Sequence, residues 1–398
     1  MAQTPPPSSG GLAVKLQPFV DDGSMAGAVM LVGSKDKILD LEAVGYSDLA
    51  AKKPMTTNDF FWIASMSKAM SASLVMMLVD EGRVSIDDPV EKYLPEFKGQ
   101  MVVDPKDPTH TPHPPSHPIT IREILSHTSG IPFRPLGETG VLDNHPLAEE
   151  VAIYARHPLI FDPGSDYAYS NAGIGVGARI LEVVSGMPYE KFLQERLLDP
   201  LGMTDTTFWP TDEQLQRLAK SYTGQDPKAA GTAAPNAPKL TEIHFPEIYY
   251  NQLTYPLTDR TKRFPVPAGG LFSNATDVAR FCQLFLNDGT FEGKRLLSPQ
   301  AVKLATTKET GPKVKVGYGF GWVIGSNGEY NHGGAYNTYM GVEPDHGIVL
   351  VFMVQQGPHW GTGHGKDIVS TFVKAAHAMT GAATSDQKVH TEGQGQPH

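Results

Sequence analysis

Short β-rich apolar runs occupy both ends of this chain, and helical periodicity fills the middle. GAVMLVG (27–33) and KILDLEAVGY (37–46) flank a polar SKDK turn, which predicts a hairpin. Near the other end, GWVIG, TYMGVEP and GIVLVFMVQ are strand-like runs separated by Gly, Asn and Asp turns, and DIVSTFVKAAHAMTG follows with a helical repeat. Between these ends, AEEVAIYARH, GVGARILEVVSG, YEKFLQERLL and ATDVARFCQLFLNDG are periodic apolar helices. TIREILSH joins them, with Thr120 and Glu123 at capping-box spacing.

Strands at the ends around helices in the middle predict an α+β fold. An antiparallel sheet built from both chain ends is flanked by helices, with a largely helical domain inserted. On this reading residues 12–70 and 265–381 form the sheet-containing domain and 71–264 the helical one. Residues 1–11 and 382–398, rich in Pro, Gly, Ser and Gln, are expected to be flexible tails. The Pro-rich stretches 104–118 and 226–239 read as surface loops. A cleft between the two parts would suit a ligand.

The length of 398 residues fits two packed domains, or one with a large insertion, and 40% hydrophobic with 19% charged residues is ordinary for a globular chain. A net charge of −10 without a long basic run argues against nucleic acid and anionic membrane as partners and favours a small neutral or cationic substrate. No stretch reaches the roughly 18 apolar residues of a membrane span. The opening MAQTPPPSSGG reads as a mature or trimmed start, which leaves export and compartment open, as the sequence leaves oligomeric state open. Cys282 is the only cysteine and sits on an apolar helix face, where a buried structural thiol is expected.

Chemistry enters with Ser65-Met66-Ser67-Lys68, which follows the apolar FFWIA and opens the helical run KAMSASLVMMLVDEG, ending at Gly82. A serine at a helix start lies beside unpaired N–H groups that stabilise an oxyanion, and Lys68 returns to the same face three residues on. A lysine serves as base when desolvation or nearby positive charge brings its pKa down from about 10.4. Ser34/Lys37 and Ser385/Lys388 share the spacing but fall in a turn and a tail, so context selects Ser65.

FDPGSDYAYSNAG places Tyr169-Ser170-Asn171 in a turn before a helix, where a phenol can relay protons. Asn171 either contacts a substrate carbonyl, holds Lys68 or caps the helix. Tyr249-Tyr250-Asn251 repeats the pattern without a helix start and reads as an aromatic loop. In Tyr330-Asn331-His332-Gly333-Gly334-Ala335 the two glycines permit close backbone approach, so that the Ala335 N–H would join that of Ser65 as an oxyanion hole with His332 lining the wall. Trp62, Tyr249, Tyr250, Tyr255, Tyr336 and Tyr339 would suit an apolar acyl or alcohol group wherever they face the cleft.

These three ordered motifs resemble those of the penicillin-recognising serine hydrolases. ILSHTSGIP, PLGMTDT, AGGLFSNATDVARF, GYGFGW and HGGAY extend the resemblance over residues 25–380 or so, in the class C β-lactamase-like branch that includes family VIII-type esterases and D-alanyl-D-alanine carboxypeptidases. The resemblance implies that Ser65 is acylated, that Lys68 and Tyr169 share base and acid roles, that Asn171 orients the substrate, and that water hydrolyses the acyl-enzyme. His332 stands where the β-lactamase pattern carries a lysine, which predicts weak or no β-lactamase activity and favours a small-molecule ester, with a D-amino-acid peptide as the alternative. A catalytically silent peptidoglycan-binding module is the reading from another class. His110, His113 and His117 are close in sequence but threaded by proline, so no catalytic metal and no cofactor are expected. The G-x-S-x-G elbow and the dinucleotide-binding glycine fingerprint are absent.

Overall fold

The computed structural model describes residues 11–103, 111–133, 142–225, 239–243, 253–254, 256–361 and 367–382. Residues 1–10 and 383–398, read above as tails, lie outside the described residues, as do 104–110, 226–238, His110, Tyr249, Tyr250, Asn251, Tyr255 and Ser385/Lys388.

Both chain ends meet in one seven-stranded antiparallel sheet. Its strands run in the order Val323–Ile324, Tyr330–Gly333, Tyr339–Glu343, Ile348–Met353, Gly27–Gly33, Ile38–Asp48 and Lys53–Pro54. The first long strand of the chain therefore pairs with the last, Val29 opposite Met353 and Val32 opposite Leu350. On its other side it pairs with Ile38–Asp48, the hairpin expected from the SKDK turn.

The central strands are apolar at every position because both faces are covered. Ala28, Met30, Val32, Leu350 and Phe352 pack against the terminal helices Leu12–Asp21 and Ile368–Thr380. The alternate residues Val29, Leu31, Val349, Val351 and Met353 face the larger core, which includes Ala275–Leu286, Ser67–Asp80 and Asn171–Ser185. Fully burying a side chain of this size contributes about 1.5–3 kcal/mol, so a one-residue register slip, which would exchange the two sets, is strongly disfavoured.

Two local signals hold as read. Thr120 and Glu123 form a reciprocal capping box at the Ile121–Leu125 helix. Gly82, at φ +66°, follows the Ser67–Asp80 helix in the left-handed conformation that ends a helix. Among the described residues no helix is long and apolar enough to cross a membrane.

Candidate active site

Ser65 lies in a single 3₁₀ turn, Ala64–Met66, that feeds the Ser67–Asp80 helix. The preceding strand Phe61–Trp62 pairs with Phe272–Ser273, and the Ile63 N–H donates to the Leu271 carbonyl, so residues 61–63 are pinned along the 267–273 segment. Ala64 then takes φ 44°, a left-handed conformation that costs a non-glycine residue roughly 1–2 kcal/mol. This strain turns the chain from strand to helix at the residue before the serine. Ser67 fastens the turn by donating to the Ala64 carbonyl and accepting from the Leu271 N–H.

Lys68 is completely buried, while Ser65 keeps partial exposure. The Lys68 Nζ donates to Ser65 Oγ at 2.9 Å and to the Ala268 carbonyl at 2.9 Å. It also lies 4.5 Å from the centroid of the Tyr169 ring. Ser65 and Tyr169, 104 positions apart in sequence, thus meet at the Lys68 nitrogen. Gly321 lets the 317–322 segment close over this helix: a Cβ there would fall 2.5 Å from Ala69 Cα and 2.8 Å from the Lys68 carbonyl, and its φ is +77°.

Tyr169 leads into the Asn171–Ser185 helix, whose cap is Ser170, not Asn171: Ser170 Oγ accepts from the Gly173 N–H and donates to the Pro132 carbonyl. Asn171 is the first helical residue, buried, and its Oδ1 has no partner among the described residues. Behind Tyr169 stands an aromatic layer that sequence pattern does not reveal. His127 sits 4.6 Å from the Tyr169 ring and 4.6 Å from Tyr318, ring centre to ring centre. It holds φ 63°, like Ala64 a non-glycine residue in the left-handed region. Its Nδ1 accepts the Ser170 N–H at 3.2 Å, which puts the ring proton on Nε2. Burial, with the nearby charges of Lys68 and His332, pushes its pKa well below the usual histidine value, so the ring is neutral.

His332 is fully buried in the Tyr330–Gly333 strand. Its Nδ1 lies 2.7 Å from the Gly333 carbonyl, which can only accept, so Nδ1 carries a proton. The Tyr318 hydroxyl, 2.9 Å from Nε2, completes the arrangement. The imidazole is thus a support beneath Tyr318 and the Tyr169 ring, 6.3 Å from the latter, with no surface of its own facing solvent.

Gly333 pairs with Tyr339 at the end of the strand, and Gly334 continues beside the serine turn. A Cβ at Gly334 would lie 2.5 Å from the Ile63 carbonyl oxygen and 2.2 Å from Thr338 Oγ1. Only glycine lets this strand approach the turn so closely. Ala335, partly exposed, then packs against a buried cluster containing Trp62, Ala64 and Tyr336. Ser65, Tyr169 and Ala335 are partly exposed, while Lys68, Asn171, His332, Gly333 and Gly334 are buried.

The aromatic residues divide. Trp62 and Tyr336 pack together with ring centroids 5.2 Å apart, next to Ala64 and Ala335. Tyr339 lies on the other face of the sheet, in the core under the terminal helices. Of the three spaced histidines, His113 bonds the Pro114 carbonyl and His117 bonds Glu123, so the two described ones point to different partners.

With this geometry goes a family match: the β-lactamase family model covers residues 12–367. The chain belongs to the β-lactamase family. It is accordingly a serine hydrolase with the β-lactamase/transpeptidase-like fold. Among its relatives, an uncharacterized protein of Mycobacterium tuberculosis is 29% identical over 87% of this chain and 90% of its own length. Penicillin-binding protein 4 of Amycolatopsis lactamdurans is 30% identical over 76% of this chain and 74% of its own. Among solved structures, EstCE1, a hydrolase with promiscuous acyltransferase activity, superposes with a TM-score of 0.71 at 23% identity, covering 92% of this chain and 98% of that one, which speaks for the shared fold.

Proposed function

We propose that this β-lactamase-family member is a carboxylesterase for small acyl esters, acting through an acyl-enzyme on Ser65. The observation that carries the proposal is the buried Lys68 amine at 2.9 Å from the partly exposed Ser65 hydroxyl. In its neutral form that amine takes the Ser65 proton as Oγ attacks the ester carbonyl. Tyr169, whose ring borders the same nitrogen, relays the proton to the departing alkoxide as the C–O bond breaks. Water then attacks the acyl-serine, releasing the acid and restoring the hydroxyl. The backbone N–H groups of Ser65 and Ala335 are assigned to the developing oxyanion, a contribution worth about 2.7–4 kcal/mol per donor, and Asn171 to orienting the substrate.

Two features support an ester over a β-lactam. His332 is fully buried and held by Tyr318 and the Gly333 carbonyl, so it does not extend toward a substrate carboxylate as a lysine ammonium would. The buried cluster against which Ala335 packs is apolar, containing Trp62, Tyr336, Phe60 and Phe272. The likeness to a putative D-alanyl-D-alanine carboxypeptidase of Escherichia coli, 28% identical over 76% of this chain and 70% of its own length, keeps D-alanyl-D-alanine peptide cleavage as the second reading.

A fluorophosphonate should add its mass to the Ser65 peptide, and labelling that persists in Ser65→Ala would refute the nucleophile. Lys68→Ala should slow acylation by roughly 10²–10⁴-fold with the fold intact. A panel of p-nitrophenyl butyrate, nitrocefin and a D-alanyl-D-alanine peptide decides the substrate class by relative kcat/KM. Higher kcat/KM on either of the latter two would displace the esterase reading.

A further inference from the structure

The sheet carries a second cluster of chemically capable side chains, at the end of the Tyr339–Glu343 strand away from the serine. Gly333 pairs with Tyr339 beside the site, whereas Tyr330 pairs with Val342 at the opposite end, one residue before Glu343. Strand alternation turns Glu343, like Tyr339 and unlike Met340 and Val342, toward the Ile368–Thr380 helix.

There Glu343 meets two histidines from two other segments. His377 belongs to the last turn of that helix, and His346 to the tight turn leading into the Ile348–Met353 strand. His346 Nδ1 lies 2.7 Å and His377 Nε2 2.8 Å from the same carboxylate oxygen, Oε2. The three donor atoms all fall within 4.8 Å of one another. The side chains of Glu343 and His377 are 4% and 1% exposed, and that of His346 is 22% exposed, so the cluster is closed on the protein side and open on the solvent side.

We propose that Glu343, His346 and His377 form a three-ligand site for a divalent transition-metal ion, Zn²⁺ by its donor set, which fastens the C-terminal helix to the sheet. Two imidazole nitrogens and one carboxylate oxygen suit Zn²⁺, whereas Ca²⁺ and Mg²⁺ take oxygen ligands. Zinc bonds of about 2.0–2.2 Å place tetrahedral ligands roughly 3.3 Å apart, so the 2.7 and 2.8 Å separations open by about half an ångström as the ion enters. The His346 turn, half open to solvent, supplies that freedom, and a water takes the fourth position. Each coordinating nitrogen gives up its proton, either to the other nitrogen of its ring or to solvent, so the ion takes the place of two shared hydrogens on one oxygen.

The test uses the full chain stripped with a chelator and dialysed. Native mass spectrometry and calorimetric titration with Zn²⁺ alone should show one ion per chain, and thermal unfolding should shift upward with free Zn²⁺ as a site on the folded state requires. Co²⁺ in its place should give the intense visible absorption of a tetrahedral ion. His346→Ala, at the partly exposed ligand, should fold and hydrolyse esters as the wild type does, yet bind more weakly by more than the roughly 10–100-fold that loss of an outer-shell partner costs. Glu343→Gln, close to isosteric, should do the same. Wild-type affinity in both variants, or absence of a Zn²⁺-dependent rise in the wild-type melting temperature, would overturn the proposal without touching the assignment of Ser65.

Discussion

Gly334→Ala is the substitution that best probes how the site is assembled, because it adds one methyl group between the strand and the serine turn. The new Cβ would sit 2.5 Å from the Ile63 carbonyl oxygen, and reaching the 3.4 Å of ordinary contact requires a shift of about 0.9 Å. Thr338 Oγ1 can rotate away, but a backbone carbonyl that follows a paired strand cannot, so the strand end carrying Ala335 must move. Misplacement by about 1 Å costs about 10²-fold in rate, equivalent to ~2.7 kcal/mol of transition-state stabilisation. Overpacking itself should cost ~1–3 kcal/mol of stability. The assay is kcat/KM for p-nitrophenyl butyrate together with the urea midpoint. Gly293→Ala serves as the control: its φ is +78° and open space surrounds it, so it should lose about 1 kcal/mol of stability and no activity. A Gly334→Ala enzyme with wild-type kcat/KM would refute the close approach as the device that sets the oxyanion geometry.

Arg263→Ala should lower stability by ~3–5 kcal/mol in urea titration, because it leaves the buried Asp143 carboxylate without its partner at 2.6 Å and removes donors to the Phe208 and Leu257 carbonyls; a loss below ~1 kcal/mol would contradict this. Cys282 is fully buried and burial pushes its thiol far up, so a disulfide reagent should modify it only as fast as the protein unfolds, and rapid modification of the native protein would show otherwise. His127 stays neutral when folded but takes up a proton near pH 6.5 when unfolded, so the unfolded chain gains as pH falls, by up to ~1.4 kcal/mol per pH unit from this residue. Asp277, pushed up to about 6 by burial, acts in the opposite direction. The check is therefore a comparison: between pH 6.5 and 5, His127→Gln should lose less stability than the wild type, and parallel curves would exclude His127 as the source.

Much of the sheet is legible in sequence because its strands are short β-rich runs between turn residues, and the 27–33 and 348–353 strands, apolar throughout, announce that both faces are covered. The Leu12–Asp21 helix is not, since Pro18 inside it breaks the expected pattern. At the site, Ser65 and Lys68 lie three residues apart in sequence and are legible as a pair. The hold on Lys68 by Ala268 comes from a backbone carbonyl, which no side-chain code records. His127 and Tyr318 escape for another reason: their role arises from ring contacts across distant segments, although both fall in runs, ILSHTSGIP and GYGFGW, that carry the family resemblance. His332 is legible as a position, whereas its contacts with Tyr318 and the Gly333 carbonyl are not, because they arise only in the folded chain.

The strand order also sets a timetable. During synthesis the serine and its lysine leave the ribosome early, but Ala335 follows Ser65 by roughly 270 positions, which takes ~15–50 s at ~5–20 residues per second. Until then the Gly27–Gly33 strand lacks its Ile348–Met353 neighbour, and a nascent polypeptide carries Ser65 and Lys68 without the strand edge proposed to supply the second oxyanion donor. On the proposed assignment, the second oxyanion donor therefore joins Ser65 only after the Tyr330–Gly333 strand has been made.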